Sequence, residues 1–133
     1  MITLDTSAII ALLDRKDRDH AKVTAVLREE SPPYLVPAAV LGEVGYFIEA
    51  RLGHAVLETF LDDLRSGSFA LDCGDQDIGR VRKLSGEFAD LPLGLVDAAV
   101  IGCAERNGHR ALTLDQRDFG VVAGRVPLTL LPG

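Results

Sequence analysis

The sequence has few cysteines, no long apolar stretch and no surplus of positive charge, and each shortage excludes a class of protein. Two cysteines in 133 residues are too few for a disulfide framework, so we expect reduced thiols. Charged residues interrupt every apolar stretch well before about 18 residues, which excludes a membrane-spanning helix. The net charge is −6, with 20 acidic and 14 basic residues, which argues against nucleic-acid binding chiefly through a basic surface.

The remaining composition is typical of one compact domain. Hydrophobic residues make up 47% of the chain, which is ample for a core at this length. The first residues form neither a basic segment nor an apolar one, so no secretory signal is predicted. The sequence has no repeat and no Ser/Gly-rich linker. We therefore expect residues 1–133 to form a single domain of a soluble, cytoplasmic protein with no membrane partner.

Short apolar runs alternate with segments of helical periodicity along the whole chain. The predicted strands are Met1–Leu4, Tyr34–Val36, Ser68–Leu71, Ala111–Leu114 and Leu128–Leu131. The predicted helices are a first one that ends at Leu13, then Arg18–Glu30, Pro37–Gly53, His54–Arg65, Asp77–Ala89 and Leu93–Asn107. This alternation predicts an α/β fold with a mainly parallel sheet and helices on both faces. Functional groups in such folds gather at the carboxyl ends of the strands.

Four acidic residues stand apart because apolar or small residues surround them in the sequence. They are Asp5, Glu43, Asp97 and Asp115. Each also has an explanation that needs no functional site. Asp5 and Asp115 can cap helices, and Asp97, in the first turn of a helix, can interact favourably with the helix dipole. Glu43 lies beside an apolar helical stripe and would need a proton or a buried arginine such as Arg51.

The acids taken together indicate a metal site. Two carboxylates about 4 Å apart repel by roughly 4 kcal/mol at an effective dielectric near 20, so a positive charge should lie between them. No basic residue lies close to Asp5 or Asp97 in the sequence. Oxygen ligands favour Mg²⁺ or Mn²⁺ over Zn²⁺. We do not expect His20, His54 or His109 to be ligands, because they are scattered at helix starts and loops.

These acidic motifs, in this order and spacing, resemble the PIN domain and, within it, the VapC-type toxins of bacterial toxin–antitoxin pairs. The segments that carry the resemblance are Leu4–Ser7, Glu43 in the third helix, Leu95–Ala98 and Leu112–Phe119. The resemblance covers essentially the full chain. It implies a PIN-like fold and a metal-dependent endoribonuclease that hydrolyses RNA phosphodiester bonds with one or two Mg²⁺ or Mn²⁺ ions.

The resemblance also assigns roles to the residues. Asp5, Asp97 and Asp115 would be metal ligands, and Glu43 a direct or water-mediated ligand or the group that orients or deprotonates the water. Asp118 lies one helical turn beyond Asp115 and is an alternative fourth acid. The hydroxyl side chains that would orient the carboxylates are Ser7 and Thr113.

The implied partners are an RNA substrate, a VapB-like antitoxin and a second copy of the chain, with an interface on the apolar helices from Val40 to Leu64. Candidate RNA-binding side chains, which can equally be ordinary surface charges, are Arg15, Lys16, Arg51, Arg110 and Arg117. Two other functions stay open. One is an interaction module with an inactive site, and the other is a receiver-type phosphoacceptor domain.

Overall fold

Five parallel strands form one sheet in the order β3-β2-β1-β4-β5. The structure is a computed structural model that describes residues 1–91 and 93–133. The strands are β1 (Ile2–Leu4), β2 (Tyr34–Pro37), β3 (Phe69–Asp72), β4 (Arg110–Leu112) and β5 (Thr129–Leu131). The helices are α1 (Thr6–Leu13), α2 (His20–Glu29), α3 (Ala38–Phe47), α4 (His54–Ser66), α5 (Ile78–Glu87), α6 (Leu95–Arg106) and α7 (Gln116–Ala123).

The predicted α/β architecture is confirmed, and the differences are one additional helix and several element ends. The third helix continues beyond α3 as a π-helical turn, Ile48–Leu52, and ends at Gly53 with φ 93°. A 3₁₀ turn, Asp75–Asp77, precedes α5. The last helix, α7, was not predicted, because only one helical turn was expected after Asp115. Its short apolar face, which includes Phe119, becomes buried only against the rest of the fold.

The centre of the sheet is the centre of the core. All three residues of β1 are fully buried, and Thr3 pairs with Leu35 of β2 on one side and Ala111 of β4 on the other. Burial on both faces favours apolar side chains in this strand, and the hydroxyl of its one polar residue, Thr3, lies 3.5 Å from Cys103 Sγ. Helix α6 packs on β1 and β4. It can approach closely because its buried positions are mostly small, such as Ala98 and Gly102.

The strand order reverses between β1 and β4. The chain adds β2 and β3 on one side of β1 and then returns to add β4 and β5 on the other. Crevices in open α/β sheets form at such a reversal, outside the carboxyl ends of the strands. Since α6 leads into β4, it runs opposite to the strands, and its first turn lies at this same edge. Among the helices in the described part of the chain, none has the length and hydropathy that crossing a bilayer requires.

Candidate active site

A cleft of about 460 Å³ opens at the carboxyl edge of the sheet and contains the four predicted acids. Asp5 directly follows β1, Asp115 lies just after β4, Asp97 is in the first turn of α6, and Glu43 is on α3. The backbone N–H of Asp5 donates to the carbonyl of Leu112 at 3.0 Å, which fixes the two strand ends side by side. The cleft is lined by Asp5, Thr6, Ser7, Ile10, Asp17, Glu43, Phe47, Arg51, Asp97, Leu114 and Asp115.

Two hydroxyl side chains hold the carboxylate of Asp5. Thr113 Oγ1 donates to Asp5 Oδ2 at 2.8 Å, and Ser7 Oγ donates to the same oxygen at 3.2 Å. The hydroxyls are 3.3 Å apart, and Ser7 Oγ accepts from the backbone N–H of Leu114 at 2.9 Å. The segments after β1 and β4 are thus joined by side-chain hydrogen bonds, and the Asp5 carboxylate has a fixed orientation.

Asp5 is buried without a basic partner. Its side chain is 4% exposed, and none of the ion pairs within residues 1–91 and 93–133 involves it. Burial raises the pKa of this carboxyl above its ordinary value of 3.8, and the charge of Glu43 raises it further. The hydrogen bonds from Thr113, Thr6 and Ser7 act in the opposite direction.

Asp97 has the clearest sign of mutual repulsion in the cleft. Its pKa is raised to about 6, first by burial and then by the negative charges of Asp5, Asp115, Asp118 and Glu43. The other three predicted acids and Asp118 are therefore all close enough to act electrostatically on Asp97. Asp118 does not line the cleft, whereas Asp115 does. Asp115 is thus the better placed of the two alternatives for the fourth acid.

A second buried acid, Asp77, shows what a structural carboxylate looks like in this fold. Asp77 is 5% exposed, and Arg106 donates to both of its oxygens, at 2.6 and 2.8 Å. This pairing satisfies the buried charge. Asp5 and Asp97 have no equivalent cation among the described residues, so their burial and repulsion call for a positive group from outside the chain.

Of the alternative explanations of the acids, one matches the structure: Asp97 lies in the first turn of α6, where a carboxylate interacts favourably with the helix dipole. Asp5 and Asp115 occupy the N-cap positions of α1 and α7, but neither side chain makes a capping hydrogen bond. Glu43 was predicted beside the buried stripe of its helix, yet it is exposed and faces the cleft. Its proposed pairing with Arg51 is also absent, since the Arg51 guanidinium lies over the ring of Phe47, 4.8 Å from the centroid.

The donors in the cleft fit a hard divalent cation. They are carboxylate oxygens, and none of the three histidines lines the cleft. His20 and His109 instead contact the backbone carbonyls of Ala11 and Pro127. In the described ranges, no group of three or more His, Cys, Asp or Glu side chains is arranged so that it could hold a metal ion. An ion held here would keep several waters, as Mg²⁺ commonly does when one or two carboxylates bind it.

The candidate RNA-binding residues are placed very differently. Arg51 lines the cleft, whereas Arg15, Lys16 and Arg117 are exposed outside it. Arg110 begins β4 at the opposite edge of the sheet and is ion-paired with Glu30. Only Arg51 is therefore adjacent to the acidic cluster, among the basic residues that the structure describes.

Several lining residues are not among the sequence-predicted site residues, including Thr6, Ile10, Asp17 and Phe47. Asp17 has charged neighbours in the sequence, which is typical of a surface residue. Phe47 was assigned to the apolar stripe, although its spacing of four from Glu43 places both on one helix face. Thr6 was overlooked beside Asp5 and Ser7. Its Oγ1 is buried and has no hydrogen-bond partner in the described structure.

Comparison with known proteins identifies relatives that cover nearly the whole chain. The family model described as PIN domain matches residues 2–125. The Ribonuclease VapC26 of Mycobacterium tuberculosis is 31% identical over 121 residues, which are 90% of this chain and 90% of that protein.

Solved structures share the fold at lower identity. One is VapC20 of Mycobacterium tuberculosis, described as a sarcin–ricin loop cleaving toxin, and another is a toxin–antitoxin complex from Klebsiella pneumoniae. Each has a TM-score of 0.71 and 21% identity, and each match covers 97% of this chain and 99% of the other. At this identity the two structures establish a common fold.

Proposed function

The chain belongs to the PIN domain family, and from that premise we propose that it is a metal-dependent endoribonuclease, the toxin of a toxin–antitoxin pair. One observation carries the proposal. Asp5 and Asp97 are buried or partly buried acids without a cationic partner in the described structure, and they share a cleft with Glu43 and Asp115 at the reversal of the strand order. A divalent ion would relieve their repulsion.

The four acids have two different roles in the proposed reaction. Asp5, Asp97 and Asp115 would hold Mg²⁺ or Mn²⁺, as one or two ions. When bound, such an ion offsets the charge of the cleft, lowers the pKa of a water and stabilises the leaving oxygen. Ser7 and Thr113 keep the Asp5 carboxylate in one orientation. Glu43, which is exposed and lines the cleft, would orient the attacking water or accept its proton.

The two other functions considered from the sequence are less consistent with the site. A receiver-type phosphoacceptor needs adjacent acids after the first strand, but Asp5 is followed by Thr6 and Ser7. It also needs a basic residue near the last strands, whereas the cation in the described lining of the cleft, Arg51, follows α3. An inactive interaction module would be expected to lack at least one of the four acids, and all four are present.

Two protein partners belong to the proposal. An antitoxin of the VapB type would cover the cleft, in line with the toxin–antitoxin complex from Klebsiella pneumoniae that shares the fold. The second partner is another copy of the chain. In the predicted interface from Val40 to Leu64, Tyr46 is 71% exposed and Leu61 is 43% exposed. Light scattering of the wild type and of Leu61→Glu tests this interface, and equal masses would exclude it.

Cleavage of a single-stranded RNA by the purified chain tests the enzymatic function. We expect cleavage with Mg²⁺ or Mn²⁺, no cleavage in EDTA, and a loss of at least about 100-fold in Asp5→Asn and Asp97→Asn. Asp62→Asn is the matched control, because it removes an exposed carboxylate on α4, outside the cleft. An inactive wild type, or Asp97→Asn with unchanged activity, would overturn the proposal.

A further inference from the structure

One face of the third helix continues the cleft away from the acids. Glu43, Phe47 and Arg51 all line the cleft and follow one another at intervals of four residues. Glu43 and Phe47 lie above one another on α3, about 6 Å apart along the axis, and Arg51, on the turn that follows α3, has its guanidinium over the Phe47 ring. An acid, an aromatic ring and a cation therefore form a row that begins in the proposed catalytic cluster.

Arg51 is next to several carboxylates and nevertheless stacks on a ring. Its guanidinium carbon lies 4.8 Å from the centroid of Phe47. The rings of Phe47 and Tyr46 form an edge-to-face pair, with 5.7 Å between centroids and 73° between planes. None of the ion pairs in the described ranges involves Arg51. The N–H groups of Arg51 thus remain available to a ligand, while Phe47 supports one face of the guanidinium.

The backbone that carries Arg51 is irregular at this point. Ile48–Leu52 is a π-helical turn, which the N–H of Gly53 closes with a 2.9 Å hydrogen bond to the carbonyl of Ile48. Turns of this kind are rare and are often found at functional sites. Arg51 is exposed and Phe47 is half-buried, so the outer face of the guanidinium is open to solvent in the described structure.

We propose that Phe47 and Arg51 form a subsite for the nucleotide next to the cleaved bond, in an unpaired stretch of RNA. The base stacks on the outer face of the Arg51 guanidinium, and the N–H edge of Arg51 binds a phosphate of the same strand. Phe47 is a positioning residue that holds the guanidinium flat from behind. Arginine planes and aromatic rings commonly stack splayed-out bases of single-stranded RNA. This inference rests on the proposed ribonuclease function.

The order of groups in the row favours RNA over a peptide. A single strand presents a phosphate, a base and a further phosphate in turn. The row presents an acidic cluster suited to a metal-bound phosphate and then the Arg51 guanidinium, which offers a stacking plane and N–H donors in one group. The pair also explains how a chain of net charge −6 can hold RNA without a basic surface. The contact depends on stacking and one local cation rather than on a broad positive field.

Four variants separate the contributions of the Phe47 ring, the planar guanidinium of Arg51 and its charge. Phe47→Leu removes the aromatic ring behind the guanidinium, and Phe47→Tyr keeps an aromatic ring there. Arg51→Lys keeps the positive charge without the planar group, and Arg51→Gln removes the charge and the planar group. Arg65→Gln is the matched control, because it removes an exposed charge on α4, outside the cleft. Steady-state cleavage of a single-stranded RNA gives kcat and KM for each. Binding of the same RNA is measured without turnover in an Asp97→Asn background, at several salt concentrations.

We expect Phe47→Leu and Arg51→Lys to raise KM and Kd about tenfold, the effect of losing one base stack, with kcat within about threefold. Arg51→Gln should raise KM and Kd further, because it also loses the phosphate contact. Arg51→Gln alone should lower the salt slope of binding by about 0.7, the contribution of one phosphate on a single strand. Phe47→Tyr and Arg65→Gln should match the wild type. Melting temperatures of all variants check that each one folds.

The outcomes distinguish this inference from the proposed function. If the wild type cleaves RNA and the three variants keep its KM and Kd, the subsite is refuted while the ribonuclease stands. The same holds if the variants weaken an antitoxin complex and leave RNA binding unchanged, because the row would then bind protein. If the wild type does not cleave RNA, the proposed function itself fails.

Discussion

Replacing Asp97 with asparagine should stabilise the metal-free protein and at the same time abolish its response to divalent metal. The pKa of Asp97 is raised to about 6 by burial and by the charges of Asp5, Asp115, Asp118 and Glu43, from an ordinary value of 3.8. Near neutral pH the folded protein therefore holds an ionised carboxylate in an unfavourable place. Asparagine keeps the shape of the side chain and removes the charge.

The magnitude follows from proton linkage. A shift of about two pKa units corresponds to about 3 kcal/mol at about 1.4 kcal/mol per unit. Because Asp97 is only partly buried, solvent screening reduces this, and we expect about 1 kcal/mol. For a chain of this size, that is a rise in melting temperature of about 3–5 °C for Asp97→Asn in EDTA at pH 7.5.

The sign of the pH dependence is also determined. The folded state binds a proton on Asp97 more tightly than the unfolded state does. The contribution of this proton to the stability of the folded wild type is therefore fully present below about pH 4, and it is lost as the pH rises through about 6. Asp5, whose pKa is raised as well, contributes in the same direction. The advantage of Asp97→Asn over the wild type should accordingly be small at pH 4.5 and largest above pH 7.

Divalent metal should make the wild type more stable than Asp97→Asn, the reverse of their order in EDTA. At ten times its Kd, a bound ion stabilises the folded state by about 1.4 kcal/mol. The wild type should gain this from Mg²⁺ or Mn²⁺, and Asp97→Asn should gain little. The assay is thermal unfolding at matched ionic strength, with Asp62→Asn as the control. The reasoning is refuted if Asp97→Asn is less stable than the wild type in EDTA at pH 7.5, or if both gain equally from metal.

Three further predictions concern the groups around the acids. Thr113→Val removes the 2.8 Å hydrogen bond to Asp5 and should weaken metal affinity about 10- to 100-fold, measured by metal titration; an unchanged affinity would contradict the orienting role. Thr6→Val replaces a buried hydroxyl that has no described partner and should raise the free energy of unfolding in urea by about 1 kcal/mol, whereas a loss would show that the hydroxyl is bonded. Arg106→Gln leaves Asp77 without its cation and should lower the same free energy by about 2–4 kcal/mol; a loss below about 1 kcal/mol would show that the pair contributes little.

The fold was predictable because its signals are local. Short apolar runs separated by helical periodicity and Gly or Pro punctuation predicted the parallel sheet, and the structure confirms it. The missed features depend on packing. Helix α7 becomes apparent only when Phe119 is buried, and the π-helical turn after α3 has no distinctive sequence pattern. The exposure of Glu43 depends on which face of α3 the rest of the fold covers.

The sequence by itself determined which side chains are available for chemistry. They are acids set among apolar residues, with no basic residue close in the sequence to neutralise Asp5 or Asp97. It did not decide whether those acids are caps, ion pairs or ligands, because that depends on neighbours that are remote along the chain. The tertiary structure decided this. The reversal of strand order between β1 and β4 brings Asp5 and Thr113 together across 108 positions, and α6 delivers Asp97 to the same edge. Arg106 neutralises Asp77, whereas Asp5 and Asp97 have no ion-pair partner among the described residues, and in a partly buried cleft that imbalance favours a bound metal ion.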